Sequence, residues 1–360
     1  MKNLARFNIK NTKPYIAGKP IEETKRELGI SEVIKLASNE NPVGASPKAV
    51  AAMKKALLGV NRYPDSNSFY LKKKLGSLLS VNPENIVLGN GSDELIDIVI
   101  KTFVEEAENI ITADTTFLEY EIIAQVQNRQ VKKVPLKDFK FDLEAMRDRI
   151  DSKTKLVFIA NPNNPTGTYV KKTELEKFLR GLPEKVIVVL DEAYDTFIDV
   201  KDYPFGVDYF RNNNLIVLKT FSKAYGLAGL RVGYAVCDES LTRNMEKARQ
   251  PFNVNLLAQE AALAALDDKA FLKKTRSVVL DGKKFLYGQL ERLDVEYIPS
   301  VTNFILINVK KDCVGVFKEL LKLGVIVRDM KQYGLKDYIR VSIGTSYENR
   351  KFIAGLKKVL

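Results

Sequence analysis

The chain has 360 residues, with 57 Lys plus Arg against 45 Asp plus Glu for a net charge of +12, two cysteines and no histidine. Without an imidazole there can be no Ser-His-Asp or Cys-His nucleophile relay and no His-ligated zinc, so acid–base work falls to Lys, Tyr, Asp, Glu, Cys or a cofactor. Cys237 and Cys313 form no CxxC pair, which excludes a zinc ribbon and a thioredoxin-like motif.

The opening stretch Met1–Lys13 lacks an apolar core, and no run of 18 apolar residues occurs anywhere. The expectation is a protein that is neither secreted nor membrane-spanning, in a reducing cytoplasm given the few cysteines. The basic residues are dispersed along helix-like segments with no arginine-rich tract. The positive charge therefore reads as a solvated lysine surface that steers small anions, and no nucleic-acid partner is expected.

In chain order, residues 1–45, carrying Pro14, Gly18, Pro20 and Pro42, read as an extended arm with one helix. Residues 46–250 read as a large α/β domain. Its strand candidates are Ile86–Leu88, Asn109–Thr112, Val131–Pro135, Lys155–Ala160, Lys185–Leu190, Leu215–Lys219 and Val232–Val236, most of them unbroken Val/Ile/Leu runs. Such runs suit strands buried on both faces, and the amphipathic segments between them, such as Asp93–Phe103 with Leu95, Val99 and Phe103 on one face, suit covering helices. Residues 251–360 read as a smaller α+β domain: helices at Leu256–Asp267 and Asp268–Leu293, a strand Thr302–Val309, a helix Asp312–Leu323, strands Val325–Arg328 and Tyr338–Ile343, and a terminal helix Tyr347–Leu360.

Two motifs mislead. Gly89-Asn90-Gly91 follows a strand, but Glu94 stands where a dinucleotide fingerprint needs its third glycine; and the strand-then-DE element Lys185–Glu192 has no GxxxxGK[ST] partner to cradle a triphosphate. The ends of successive strands are more informative. One ends at Asn161, the next at Asp191 with Tyr194 three residues on, and the next leads into Thr220, Ser222 and Lys223 and then a glycine-rich run to Arg231. The strand before Gly89 delivers Ser92 and Asp93 at a helix N-terminus suited to phosphate. Open α/β sheets bind ligands at the carboxyl ends of their strands. A lysine for a Schiff base, a carboxylate for a pyridinium nitrogen, donors for a phenolate oxygen and a cationic phosphate cup together suit pyridoxal 5′-phosphate; no metal site is expected.

NPNNPTG (Asn161–Gly167), LDEAY (Leu190–Tyr194) and TFSKAYGLAGLRVGY (Thr220–Tyr234) resemble the fold-type-I, class I/II pyridoxal-phosphate aminotransferases. With KLASNENPVG (Lys35–Gly44), RYPD (Arg62–Asp65), GNGSDELI, RQPFNVN (Arg249–Asn255) and YIRVSIGT (Tyr338–Thr345), the chain resembles, more narrowly, the histidinol-phosphate aminotransferases. The resemblance implies an α/β fold with a mostly parallel seven-stranded central sheet, and a smaller α+β domain. It implies a homodimer whose N-terminal arm packs with the small domain and the partner. It implies ping-pong transamination between histidinol phosphate with 2-oxoglutarate and imidazole-acetol phosphate with glutamate.

Carried over by motif, Lys223 is the Schiff-base lysine and proton carrier, and Asp191 pairs with the pyridinium nitrogen. Asn161 and Tyr194 bond the phenolate oxygen, Phe117 stacks on the ring, and Ser92, Asp93, Thr220, Ser222 and Arg231 hold the phosphate. Tyr63 reaches the phosphate bound by the partner. Arg340 and Arg328 grip substrate anions, with Tyr15 and Asn39 completing that pocket. An aromatic-amino-acid aminotransferase or a threonine-phosphate decarboxylase of the same superfamily stays open as an alternative, as does a non-catalytic regulator that binds the same cofactor.

Overall fold

The apolar runs assemble because each is too hydrophobic to leave either face in water. In the computed structural model, which describes residues 4–16 and 18–360, they form a seven-stranded sheet. Its order is Ile86–Gly89, Gly233–Val236, Leu215–Thr220, Ile187–Asp191, Thr154–Ala160, Asn109–Ala113 and Gln130–Val134. All pairings are parallel except that Gly233–Val236 runs antiparallel to both neighbours. The residues of Ile187–Asp191 and Asn109–Ala113 are buried throughout, whereas the edge strand Gln130–Val134 carries exposed positions and two lysines, as an edge should to discourage further pairing.

Helices cover the sheet on stripes legible in the sequence. Ser92–Phe103 buries Leu95, Ile96, Val99 and Ile100. A second core surrounds the antiparallel sheet Arg328–Asp329, Tyr338–Ser342, Phe304–Asn308 and Tyr297–Ile298, packed by Lys269–Arg292, Cys313–Lys322 and Ser346–Val359. Gly282 on the long helix permits this packing, since a Cβ there would lie 2.5 Å from the Ile343 side chain.

Three features depart from the reading by sequence. The helix Leu256–Leu266, expected in the smaller unit, packs on Pro47–Ala56 and Phe69–Leu79, and buries Ala258, Ala261, Ala262 and Ala265 in the core of the large sheet. Its alanine-rich surface allows that close helix contact, and composition alone does not say which partner it meets. The expected strand Val325–Arg328 divides: Val325–Ile326 pairs in parallel with Ile34–Lys35 of the arm, and Arg328–Asp329 pairs with Tyr338–Ser342. The arm also has a first helix, Phe7–Asn11, whose neighbours Arg6 and Asn8 donate to the carbonyl of Val126 at the end of Glu119–Val126, on the large unit rather than the small one.

One buried ion cluster ties the sheet's carboxyl edge together. Lys219 lies 2.7 Å from Glu192, which is wholly buried, and also bonds Asp195. The Glu192 carboxylate accepts from Gly206 N at 2.6 Å. Removing the cation strands a carboxylate in a dry interior, so Lys219→Met should lower the unfolding free energy by about 3–5 kcal/mol. Chemical denaturation measures this, and Lys219→Met combined with Glu192→Gln should recover part of the loss.

Candidate active site

At the carboxyl edge of the sheet a cavity of about 310 Å³ opens, and twelve of the fifteen residues singled out from the sequence line it: Tyr15, Asn39, Ser92, Asp93, Phe117, Asp191, Tyr194, Thr220, Ser222, Lys223, Arg231 and Arg340. Those of the large sheet meet because its strands end at the same rim, while Tyr15 and Asn39 come from the arm and Arg340 from the strand Tyr338–Ser342 of the small sheet.

Asp191 closes its strand. Its carboxylate accepts from the Tyr120 hydroxyl at 2.7 Å and from Ala193 N at 3.0 Å. Burial nevertheless pushes its carboxyl up to about 6, against the pull of these two donors. Lys223 is half-buried, and its ammonium donates to Ser38 O at 3.3 Å. Burial, reinforced by the Arg340 guanidinium, holds the amine down to about 8. The two opposite charges share one cavity without bonding each other.

A second cluster suits an anion. Ser92 and Asp93 open the helix Ser92–Phe103, whose first-turn amides face outward. Arg231, held in the left-handed region at φ 54°, sets its guanidinium 2.8 Å from Asp93. Gly91, at φ +84°, makes room for that guanidinium, since a Cβ there would lie 2.5 Å from it. Thr220 Oγ1 accepts from Ser222 N at 3.1 Å and turns the loop so that both hydroxyls face the same space.

On the opposite wall Arg340 is buried, donating to Asn164 Oδ1 and, at 2.7 Å, to Ala37 O, while its Nε has no partner among the described residues. Among the described residues no carboxylate lies within ion-pair distance of it, so its charge has no ionic partner there. Tyr194 stands between the two charge clusters. Burial raises its phenol to about 12, though Arg340 and an Asn39 hydrogen bond pull it down.

Three expected residues do not line the cavity. Asn161 spends its Oδ1 on Val170 N at 2.8 Å, closing its own loop. The asparagine of the same motif that does line the cavity is Asn164, three residues on; two asparagines flank adjacent prolines, and only the turn's path decides which points inward. Arg328 faces Arg340 across the strand pair but lies behind Tyr15, with its guanidinium 5.4 Å from the Tyr15 ring and 3.2 Å from Gln332 Oε1. Tyr63 is 83 % exposed and stacks on Phe252 at 4.7 Å. Tyr120 was missed outright. It follows Phe117 by three residues in DTTFLEY, the helical spacing that puts both rings on one wall, where they meet edge to face at 5.6 Å.

Residues 31–356 match the family described as aminotransferase class I and II. Among curated proteins, the chain is similar to the histidinol-phosphate aminotransferase of Moorella thermoacetica, 48 % identical over 98 % of this chain and 92 % of that one. It is equally similar to histidinol-phosphate aminotransferase 2 of Carboxydothermus hydrogenoformans, 48 % identical over 99 % of both chains. Among solved structures, the histidinol-phosphate aminotransferase of Sinorhizobium meliloti in complex with pyridoxal-5′-phosphate is 27 % identical, with a TM-score of 0.91 over 99 % of this chain and 98 % of that one. Its counterpart from Clostridium acetobutylicum is 26 % identical, with a TM-score of 0.84 over 91 % of this chain and 99 % of that one.

The depressed amine makes a measurable claim. An amine reacts when unprotonated, so labelling of Lys223 by an amine-directed reagent, read by peptide mass spectrometry, should rise through a midpoint near pH 8, well below that of surface lysines. Because the Arg340 charge contributes to the depression, Arg340→Gln should move that midpoint upward.

Proposed function

The chain belongs to the class I and II aminotransferase family, and from that membership we propose that it interconverts histidinol phosphate plus 2-oxoglutarate and imidazole-acetol phosphate plus glutamate, using pyridoxal 5′-phosphate. The observation that carries the proposal is the separation of charge in the cavity. A half-buried amine of lowered proton affinity and a buried carboxylate without a cation face the same space. A ligand with an aldehyde at one end and a basic ring nitrogen at the other fits between them. A phosphate on that ligand suits the Ser92–Asp93 amides, Thr220, Ser222 and Arg231.

When bound, pyridoxal 5′-phosphate supplies an aldehyde for amine exchange and a ring that accepts the electron pair left at the substrate α-carbon. Asp191 holds a proton on the ring nitrogen, which the Tyr120 hydroxyl and Ala193 amide help by keeping the carboxylate oriented. With the cofactor bound, Lys223 Nζ would hold its aldehyde and would carry the substrate α-proton, a role its lowered proton affinity allows at neutral pH. Phe117 covers the ring face. Arg340 orients the substrate by its carboxylate or phosphate, so amino donor and acceptor use one site in turn. Two buried cysteines without a disulfide suit a reducing cytoplasm, and among the described residues no helix is long and apolar enough to cross a membrane.

We also propose a homodimer in which Tyr63 completes the partner's cavity. Support comes from an exposed apolar strip that includes Leu58, Tyr63, Phe69 and Tyr70, with Phe252 stacked on Tyr63; a strip this apolar is costly to leave in water.

The test is an absorbance scan of purified protein with added cofactor. A yellow band that Lys223→Ala abolishes, bleached by histidinol phosphate and restored by 2-oxoglutarate, is the expected result. Bleaching only by aromatic amino acids would overturn the named substrate, release of carbon dioxide from threonine phosphate would favour the decarboxylase, and no band at all would sink the proposal. For the dimer, mixing Lys223→Ala subunits with Tyr63→Ala subunits should restore activity, because each hybrid holds one intact site; a Tyr63 acting within its own subunit gives no recovery.

A further inference from the structure

We infer that Asn39 is a positioning residue that sets the direction of the Tyr194 hydroxyl: its amide donates to Tyr194 Oη, so the single phenolic proton is turned into the cavity. The inference rests on the proposed function and adds to it a residue that decides whether Tyr194 gives or receives a hydrogen bond.

The polarity follows from counting protons. Asn39 N donates to Ser342 Oγ at 2.8 Å, and the Ser342 hydroxyl in turn donates to Asn39 Oδ1 at 3.0 Å. This two-way exchange holds Oδ1 toward Ser342 and leaves Nδ2 to donate to Tyr194 Oη at 3.0 Å. Asn39 and Ser342 are both buried. Flipping the amide would remove the acceptor of the serine proton between two buried side chains, which is the costly arrangement. An amide nitrogen cannot accept, so the phenolic proton must point elsewhere, and Tyr194 borders the open cavity.

The backbone reinforces the arrangement. Asn39 sits at φ 54°, a conformation that asparagine and aspartate tolerate better than most residues. Its carbonyl accepts from Asn303 Nδ2 at 3.0 Å, and the neighbouring Leu36 O accepts from Ser342 N at 2.8 Å. The arm thus carries Asn39 to the site on bonds to two strands of the small sheet. A tyrosine that donates to the cofactor's phenolate oxygen draws charge from it and lowers the proton affinity of the imine at Lys223; a tyrosine turned the other way does not. The charged and titratable groups around this phenol are Asp191, Asp93, Arg340, Lys223, whose ammonium lies 5.7 Å from the ring, Tyr120 and Tyr333.

Asn39→Asp is nearly isosteric but offers only acceptors, and should capture the Tyr194 proton. The readout is the pH titration of the yellow band of the cofactor-loaded protein, which reports proton affinity rather than activity. Asn39→Asp should raise that affinity about tenfold, and so should Tyr194→Phe. In a Tyr194→Phe background, adding Asn39→Asp should produce a clearly smaller rise, because only the added charge is left to act. Strictly additive shifts, or no shift in Asn39→Asp, would overturn the inference while leaving the proposed function intact. A wild-type protein with no yellow band would overturn both. Should Asn39→Asp fail to fold, Ser342→Ala carries the test: it frees the amide to flip and should shift the titration in the same direction by less, and an unchanged titration counts against the inference.

Discussion

Everything at this site depends on keeping two opposite charges in one cavity without letting them meet. Lys223 and Asp191 would neutralise each other if the walls allowed it, and the protein would then hold a structural ion pair in place of a reactive amine. The walls do not allow it because each group is fastened to a different part of the rim. Asn161 N donates to Asp191 O at 2.9 Å and Glu192 N to Leu218 O at 2.9 Å, which makes the end of the Ile187–Asp191 strand rigid on both sides. The cluster of Lys219, Glu192 and Asp195 lies against the same strand ends and supports them from behind. Burial then acts on each charge separately, lifting the carboxyl and depressing the amine.

The arm converts the small core into part of the site. Residues 34–39 run from the pairing with Val325–Ile326 across to the cavity. Along that path Ala37 O receives Arg340, Ser38 O receives Lys223, and Asn39 reaches Tyr194. Three consecutive residues therefore touch the candidate anion receptor, the amine and the phenol.

Much of the site was legible because parallel α/β sheets concentrate function at strand ends, and strand ends are visible in a sequence as the first polar residue after an apolar run. Asp191 stands at such an end, Lys223 lies in the loop that follows the next one, and Arg231 closes that loop just before Gly233–Val236. The same rule failed at Asn161, where three asparagines follow one strand and the nearest is consumed in closing the loop on Val170. It failed also at Arg328, which shares a strand pair with Arg340 but is screened from the cavity by Tyr15. Tyr120 escaped because a buried tyrosine reads as core until its hydroxyl is seen on Asp191.

By itself, the sequence determined the class of chemistry and the local structure: unbroken Val/Ile/Leu runs suit a doubly covered sheet, the absence of histidine removes imidazole chemistry, and the polar residues after successive apolar runs supply a lysine and a carboxylate in its place. Tertiary structure decided what depends on direction and on neighbours distant in the chain. It settled which asparagine turns inward, which core receives the helix Leu256–Leu266, and how Asn39 comes to lie 3.0 Å from a tyrosine 155 positions away. Burial and hydrogen-bond polarity are properties of packed surroundings, and those exist only once the strands have been brought side by side.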